Sequence, residues 1–136
     1  MVHGYTTIEQ SKKLLSLGLA PGTADMYYLF FKDTGHIVNK APFVTTGDEV
    51  RGDDLFTHVE CWSFTALLEL IPYTIKDDFS KCIFQMSKYD TGYQISYIRE
   101  GNHHCAIWSY YEELVVDAAF KMVCWLIEQG HIKVNK

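Results

Sequence analysis

From Leu114 to Ile127 the chain is apolar at nearly every position. Wound at about 100° per residue, Asp117, Lys121 and Glu128 fall on one narrow strip, while Val115, Val116, Ala118, Ala119, Phe120, Met122, Val123, Trp125, Leu126 and Ile127 cover the rest. A helix of this kind must be covered over most of its circumference. In a small chain the cover is a sheet, a central place among the other elements, or a second subunit.

Two shorter amphipathic helices precede it. In the first, Thr6 or Thr7 supplies the cap, Glu9 or Gln10 stands three residues on for a capping box, and Ile8, Leu14 and Leu15 form the apolar face. Gly18 stops it: with Gly18 in the left-handed conformation Leu19 reaches back to Leu14, and Pro21 opens a short turn or helix up to Met26. In the second, Ser63 is the cap, Phe64, Leu67, Leu68 and Ile71 repeat at helical spacing, and Pro72 marks the end.

The remaining periodic segments read as strands. The aromatic run Tyr27 to Phe31, then Asp33-Thr34-Gly35, then Ile37-Val38 predicts a hairpin. Residues 81–89, 93–99 and 103–110, separated by Asp90-Thr91-Gly92 and Glu100-Gly101-Asn102, predict an antiparallel meander. Tyr93, Ile95 and Tyr97 then share one face with Arg99, and Gln94 and Ser96 the other. Between Pro42 and Asp54 the composition turns to Thr, Gly and acid, which predicts a loop. The expected architecture is a single α+β domain over residues 1–136. Its antiparallel sheet, meander plus N-terminal hairpin, packs against the long C-terminal helix, and the two shorter helices close the remaining sides.

At 136 residues the chain is one domain with room for a real core. Aromatics at 15% point to cross-strand pairs in a sheet or to a surface that contacts a partner. A net charge of −5, with Lys12-Lys13 as the longest basic run, speaks against a nucleic-acid footprint. Met1-Val2-His3-Gly4-Tyr5 is not a charged segment leading into an apolar one, and no uninterrupted apolar run reaches the roughly 18 residues of a membrane span. A cytoplasmic protein without a membrane segment is expected. Cys61, Cys82, Cys105 and Cys124 are spaced about 20 residues apart, with no pair at two-residue spacing. In that compartment they are expected as free thiols.

Candidate chemistry is sparse. Asp-Thr-Gly occurs at Asp33 and at Asp90, the triplet by which aspartic proteases bring two carboxylates together, but Lys32 and Tyr89 precede and His36 and Tyr93 follow where apolar and small residues belong. Turn chemistry accounts for both triplets. His103 and Cys105 point to one side of a strand and could share a metal with another cysteine, but no second closely spaced ligand pair exists, so no metal ligand is assigned. The acids Asp48, Glu49, Asp53 and Asp54 lack the ligand alternation of a calcium loop, and Gly47 and Gly52 form no phosphate-binding pattern. No catalytic residue and no cofactor is assigned. Trp62 and Trp125 read as core residues, whereas Trp108 on the last strand, with Tyr110 on its face and Tyr97 on the neighbouring strand, marks the best candidate for a partner surface.

Three regions of the chain resemble a family of small uncharacterised proteins of gut Bacteroidetes bacteria and of their phages and other mobile elements. They are Tyr5-Thr6-Thr7-Ile8-Glu9-Gln10-Ser11-Lys12-Lys13-Leu14-Leu15 running into Thr23-Ala24-Asp25-Met26, then Cys61-Trp62-Ser63 with Ala66 to Pro72, and finally Asp117 to Leu126. Glu60 stands where that family has a proline. The resemblance implies an accessory role in a mobile element and carries over no catalytic residue. Within it, Asp25 and Asp117 are the candidates for a shared polar role, with Lys121 one helical turn beyond Asp117 as its expected ion-pair partner. The favoured function is a non-enzymatic interaction module that binds a protein partner or itself. The alternatives are a small-ligand binder with an aromatic-lined cavity between sheet and helix, and a small hydrolase using Asp or Cys/His.

Overall fold

The structure, a computed structural model, describes residues 4–45, 54–77 and 80–134, with no side-chain description at 102–105. In chain order the elements are α1 (Ile8–Ser16), a 3-10 turn at Pro21–Thr23, β1 (Met26–Phe31), β2 (Phe43–Val44), β3 (Phe56–Cys61), α2 (Phe64–Leu70), β4 (Thr74–Lys76), β5 (Lys81–Tyr89), β6 (Gly92–Arg99), β7 (Asn102–Glu112) and α3 (Val115–Glu128). This is an α+β fold, and its strands form two antiparallel sheets, β2-β1-β3 and β4-β5-β6-β7.

The helix ends follow from local chemistry. Thr7 caps α1: its hydroxyl accepts from the Gln10 amide at 3.1 Å, and the Gln10 side chain accepts from the Thr7 amide at 2.9 Å. At the other end Gly18, at φ 94°, donates to Leu15 O, and Leu19 donates to Leu14 O, with both leucines buried. This is the expected Schellman geometry. Gly130, at φ 79°, closes α3 in the same way, with His131 donating to Leu126 O at 2.8 Å.

The meander appears as expected, with each hairpin closed by two residues, Asp90-Thr91 and Glu100-Gly101. The N-terminal hairpin is present but short, with Phe31 donating to His36 O and Val38 to Leu29 O, both at 2.8 Å. After the Asp33-Thr34-Gly35 turn the chain makes a single bridge, Phe30 to Ile37, and the partner that runs the length of β1 is β3, in a stretch to which the sequence pattern assigns no element, while β2 lies inside the segment expected to be loop. These strands form a sheet of their own, while β4 extends the meander. Of the expected acidic loop, Asp48, Glu49 and Asp53 lie outside the described residues.

The core forms around α3. Val116, Ala118, Ala119, Met122, Val123, Cys124, Leu126 and Ile127 are buried, packed with Leu67 of α2, Ile95 and Tyr97 of β6, Cys82 of β5, and Leu14 and Leu19 at the end of α1. Only Lys121 and Glu128 among the fourteen helix residues are exposed. The polar strip is therefore where the spacing puts it. Lys121 finds a different partner from the expected one: its Nζ lies 2.6 Å from Glu112 Oε2 on β7, and Asp117 accepts instead from Gln10 Nε2 at 2.9 Å. A strand residue lying across the helix reaches the ammonium directly, whereas Asp117 faces α1.

Candidate interaction surface

β6 and β7 carry the aromatic residues singled out by the sequence. Tyr97 and Trp108 are direct cross-strand partners, and both lie on the face covered by α3. There Trp108 stacks on Trp125 of α3, ring centres 5.4 Å apart and planes 8° from parallel. Tyr110 meets the edge of Trp108 at 6.0 Å, and Tyr97 lies 6.4 Å from Trp125. The ladder therefore runs from interior to surface. Tyr97 is fully buried, its hydroxyl donating to Pro72 O at 2.5 Å, and burial pushes the phenol well above its ordinary pKa. It supports the surface from behind and has no area of its own to offer a partner. Tyr110 is half-buried and Trp108 is 42% exposed.

Trp108 also sits on an edge. Regular pairing to β6 begins at Trp108, because a register shift leaves Ile107 as an extra residue between the Tyr97–Trp108 and Ile98–Ala106 pairs. The outer side of β7 has no strand partner among the described residues. On the opposite face of the sheet Tyr111, 47% exposed, packs beside Tyr89 with ring centres 6.0 Å apart and hydrogen-bonds Thr91.

Next to the ladder, Ile75 of β4, Ile107, Trp125, Gln129, His131, Lys76 and Asp77 enclose a cleft of about 290 Å³. The His131 ring lies 5.8 Å from Trp125, and Asp77 pairs with Arg99 at 3.1 Å. The cleft lies between sheet and helix and is partly aromatic.

A second set of polar residues is concentrated where α1, β1 and α2 begin. Thr6 is buried: its hydroxyl accepts from the Trp62 amide at 3.1 Å and lies 2.8 Å from the Ser11 hydroxyl, and its carbonyl accepts from the Tyr28 hydroxyl at 2.7 Å and the Cys61 thiol at 3.4 Å. Trp62 Nε1 donates to Thr23 Oγ1 at 3.0 Å. Asp25 accepts from both the amide and the hydroxyl of Ser63, at 2.9 and 2.5 Å, while that hydroxyl caps α2 by accepting from the Ala66 amide. The polar roles expected of Asp25 and Asp117 are thus structural: one braces a helix cap, the other ties α3 to α1.

The other candidates separate. Asp33 and Asp90 start turns that belong to different sheets. Gly92 is required by close approach, since a Cβ there would lie 2.5 Å from the Glu112 carbonyl oxygen. Cys61, Cys82 and Cys124 are buried, and burial raises all three thiols, Cys124 to about 11, the reverse of what a thiolate nucleophile needs. The side chains of His103, His104 and Cys105 lie outside the described residues, and among those described no three His, Cys, Asp or Glu groups cluster around a common point. No described helix is long and apolar enough to cross a membrane. The fold and surface define an α+β protein with an aromatic strand edge on β7. No protein-family model, curated protein or solved structure matches the chain.

Proposed function

We propose that this chain is a non-enzymatic interaction module that takes up a protein partner along the free edge of β7, in keeping with the accessory role in a mobile element that the resemblance implies. The observation that carries this is the contrast among the sheet edges. β2 has two residues, β4 has three and ends in Lys76, and β3 carries His58 and Glu60, paired at 2.8 Å. Shortness, charge and bulges are the usual protections of an edge, and of these β7 has a bulge, at Ile107. β7 has eleven residues, and from Ala106 to Tyr111 it holds neither charge nor proline. Its unpaired backbone groups offer a partner strand hydrogen bonds, and Trp108 offers it an anchor.

Photo-crosslinking tests this. A photoreactive residue in place of Tyr111 is expected to give protein crosslinks that disappear with Trp108→Glu, while one in place of Tyr73, more exposed at 69% but off this edge, gives none. Equal yields from both positions, or none from position 111, contradict the proposal.

The cleft beside Trp125 favours a second reading, a small-ligand site, since its volume of about 290 Å³ is just under the ligand-pocket range of about 300–1,000 Å³ and its lining is partly aromatic. Native mass spectrometry of freshly purified protein then shows a retained mass that is lost in His131→Ala with Gln129→Ala. A clean unliganded mass in screens of metabolite mixtures rejects it.

A further inference from the structure

We infer that the partner of the β7 edge is the β7 edge of a second copy, paired antiparallel about a two-fold axis through Ser109. This rests on the interaction role proposed for that edge and names its occupant.

The argument is one of self-complementarity. A two-fold between antiparallel strands places residue i opposite residue 218 − i when the axis passes through position 109, so Trp108 of each copy faces Tyr110 of the other and Ser109 faces itself. Directly opposed residues lie on one face of the joined sheet, and Trp108 and Tyr110 are both on the α3 side. The stack of Trp125 on Trp108 therefore continues onto the second copy's Tyr110, which covers the exposed indole with an aromatic side chain rather than water. No charge opposes its like. The stretch from Ala106 to Tyr111 is neutral, and the two Glu112 carboxylates sit at opposite ends of the paired segment, each already held by its own Lys121. A chain of net charge −5 meets a copy of itself most easily along a neutral strip of this kind. The joined β7 strands turn two four-stranded sheets into one of eight and leave only the β4 edges open.

The test combines light scattering of the native protein over a range of concentrations with a cysteine placed on the axis. Residues facing each other across antiparallel strands have Cα atoms about 4.5–5.5 Å apart, inside the disulfide range. Ser109→Cys in a Cys105→Ser background is therefore expected to give a covalent dimer under mild oxidation, whereas Gln85→Cys on β5 in the same background stays monomeric. Unmodified protein is expected at twice 15.7 kDa. Trp108→Glu and, separately, Tyr110→Glu lower the association constant at least about tenfold while circular dichroism and melting show a folded domain. A dimer that gives no Ser109→Cys disulfide overturns the register. A monomer that still crosslinks a different protein from position 111 overturns the inference and leaves the interaction role standing, and a monomer with no β7 partner removes both.

Discussion

Replacing Gln10 by Glu isolates a single tertiary contact, because within α1 the change is harmless. Glu suits the third helical position, still accepts from the Thr7 amide, and gains a few tenths of a kcal/mol from the helix dipole. Across the domain the same change replaces the amide that donates to Asp117 Oδ1 at 2.9 Å with a second carboxylate. Losing the hydrogen bond costs about 1 kcal/mol. Two like charges about 3 Å apart repel by about 5 kcal/mol at an effective dielectric of about 20, but both side chains are half-buried and swing apart, which leaves about 1 kcal/mol. The expected loss is about 2 kcal/mol. For 136 residues, with an unfolding entropy of about 0.29 kcal/mol/K, that lowers Tm by about 7 °C in a calorimetric scan at neutral pH. Adding Asp117→Asn restores a donor and removes the repulsion, so the double variant recovers most of the loss. A Gln10→Glu protein as stable as the parent, or more stable, refutes the α1–α3 tie and the role assigned to Asp117.

Gly92→Ala drives a Cβ into backbone that cannot easily yield, so a loss of about 1–3 kcal/mol is expected in denaturant melts, whereas Gly22→Ala, with open space around it, changes little. Met122→Ala opens a cavity in the centre of the core and costs about 2–5 kcal/mol, seen as a fall in the denaturant midpoint at unchanged slope. In a Cys105→Ser background no thiol reacts rapidly with a disulfide reagent in the native protein at mildly alkaline pH, and all three react after unfolding; rapid native labelling of Cys61 or Cys124 contradicts their burial.

Much of this fold is legible along the chain where local chemistry and burial agree. Thr7 with Gln10, Gly18 with Leu19, and Ser63 before Phe64 announce helix ends by hydrogen-bond chemistry that needs no tertiary context. The spacing around Asp117, Lys121 and Glu128 places the wet side of α3 because nearly every other direction is apolar. β3 was hidden for the opposite reason. Its run Phe-Thr-His-Val-Glu-Cys does alternate, but it carries His58 and Glu60 as an edge strand does, next to a Gly- and acid-rich segment, and so does not stand out as a strand. The division into two sheets is set by long-range pairing of β1 with β3, which no local pattern encodes. At the surface, Trp108 and Tyr110 could be placed on one face by alternation, but the depth of Tyr97 depends on α3 lying over β6, which periodicity along a strand does not report. The Thr6–Cys61 and Asp25–Ser63 contacts join residues far apart in sequence, and short polar side chains give no signal of their partners.

Hydrogen exchange read by mass spectrometry along α3 tests most directly whether one copy of the chain buries this helix by itself. The expected result is slow exchange of its amides at a level near global unfolding, unchanged when the protein is diluted far below any dimer dissociation, while amides of residues 106–112 lose protection on dilution. Fast exchange in α3 under the dilute condition contradicts the assignment of α3 as the centre of a self-sufficient core.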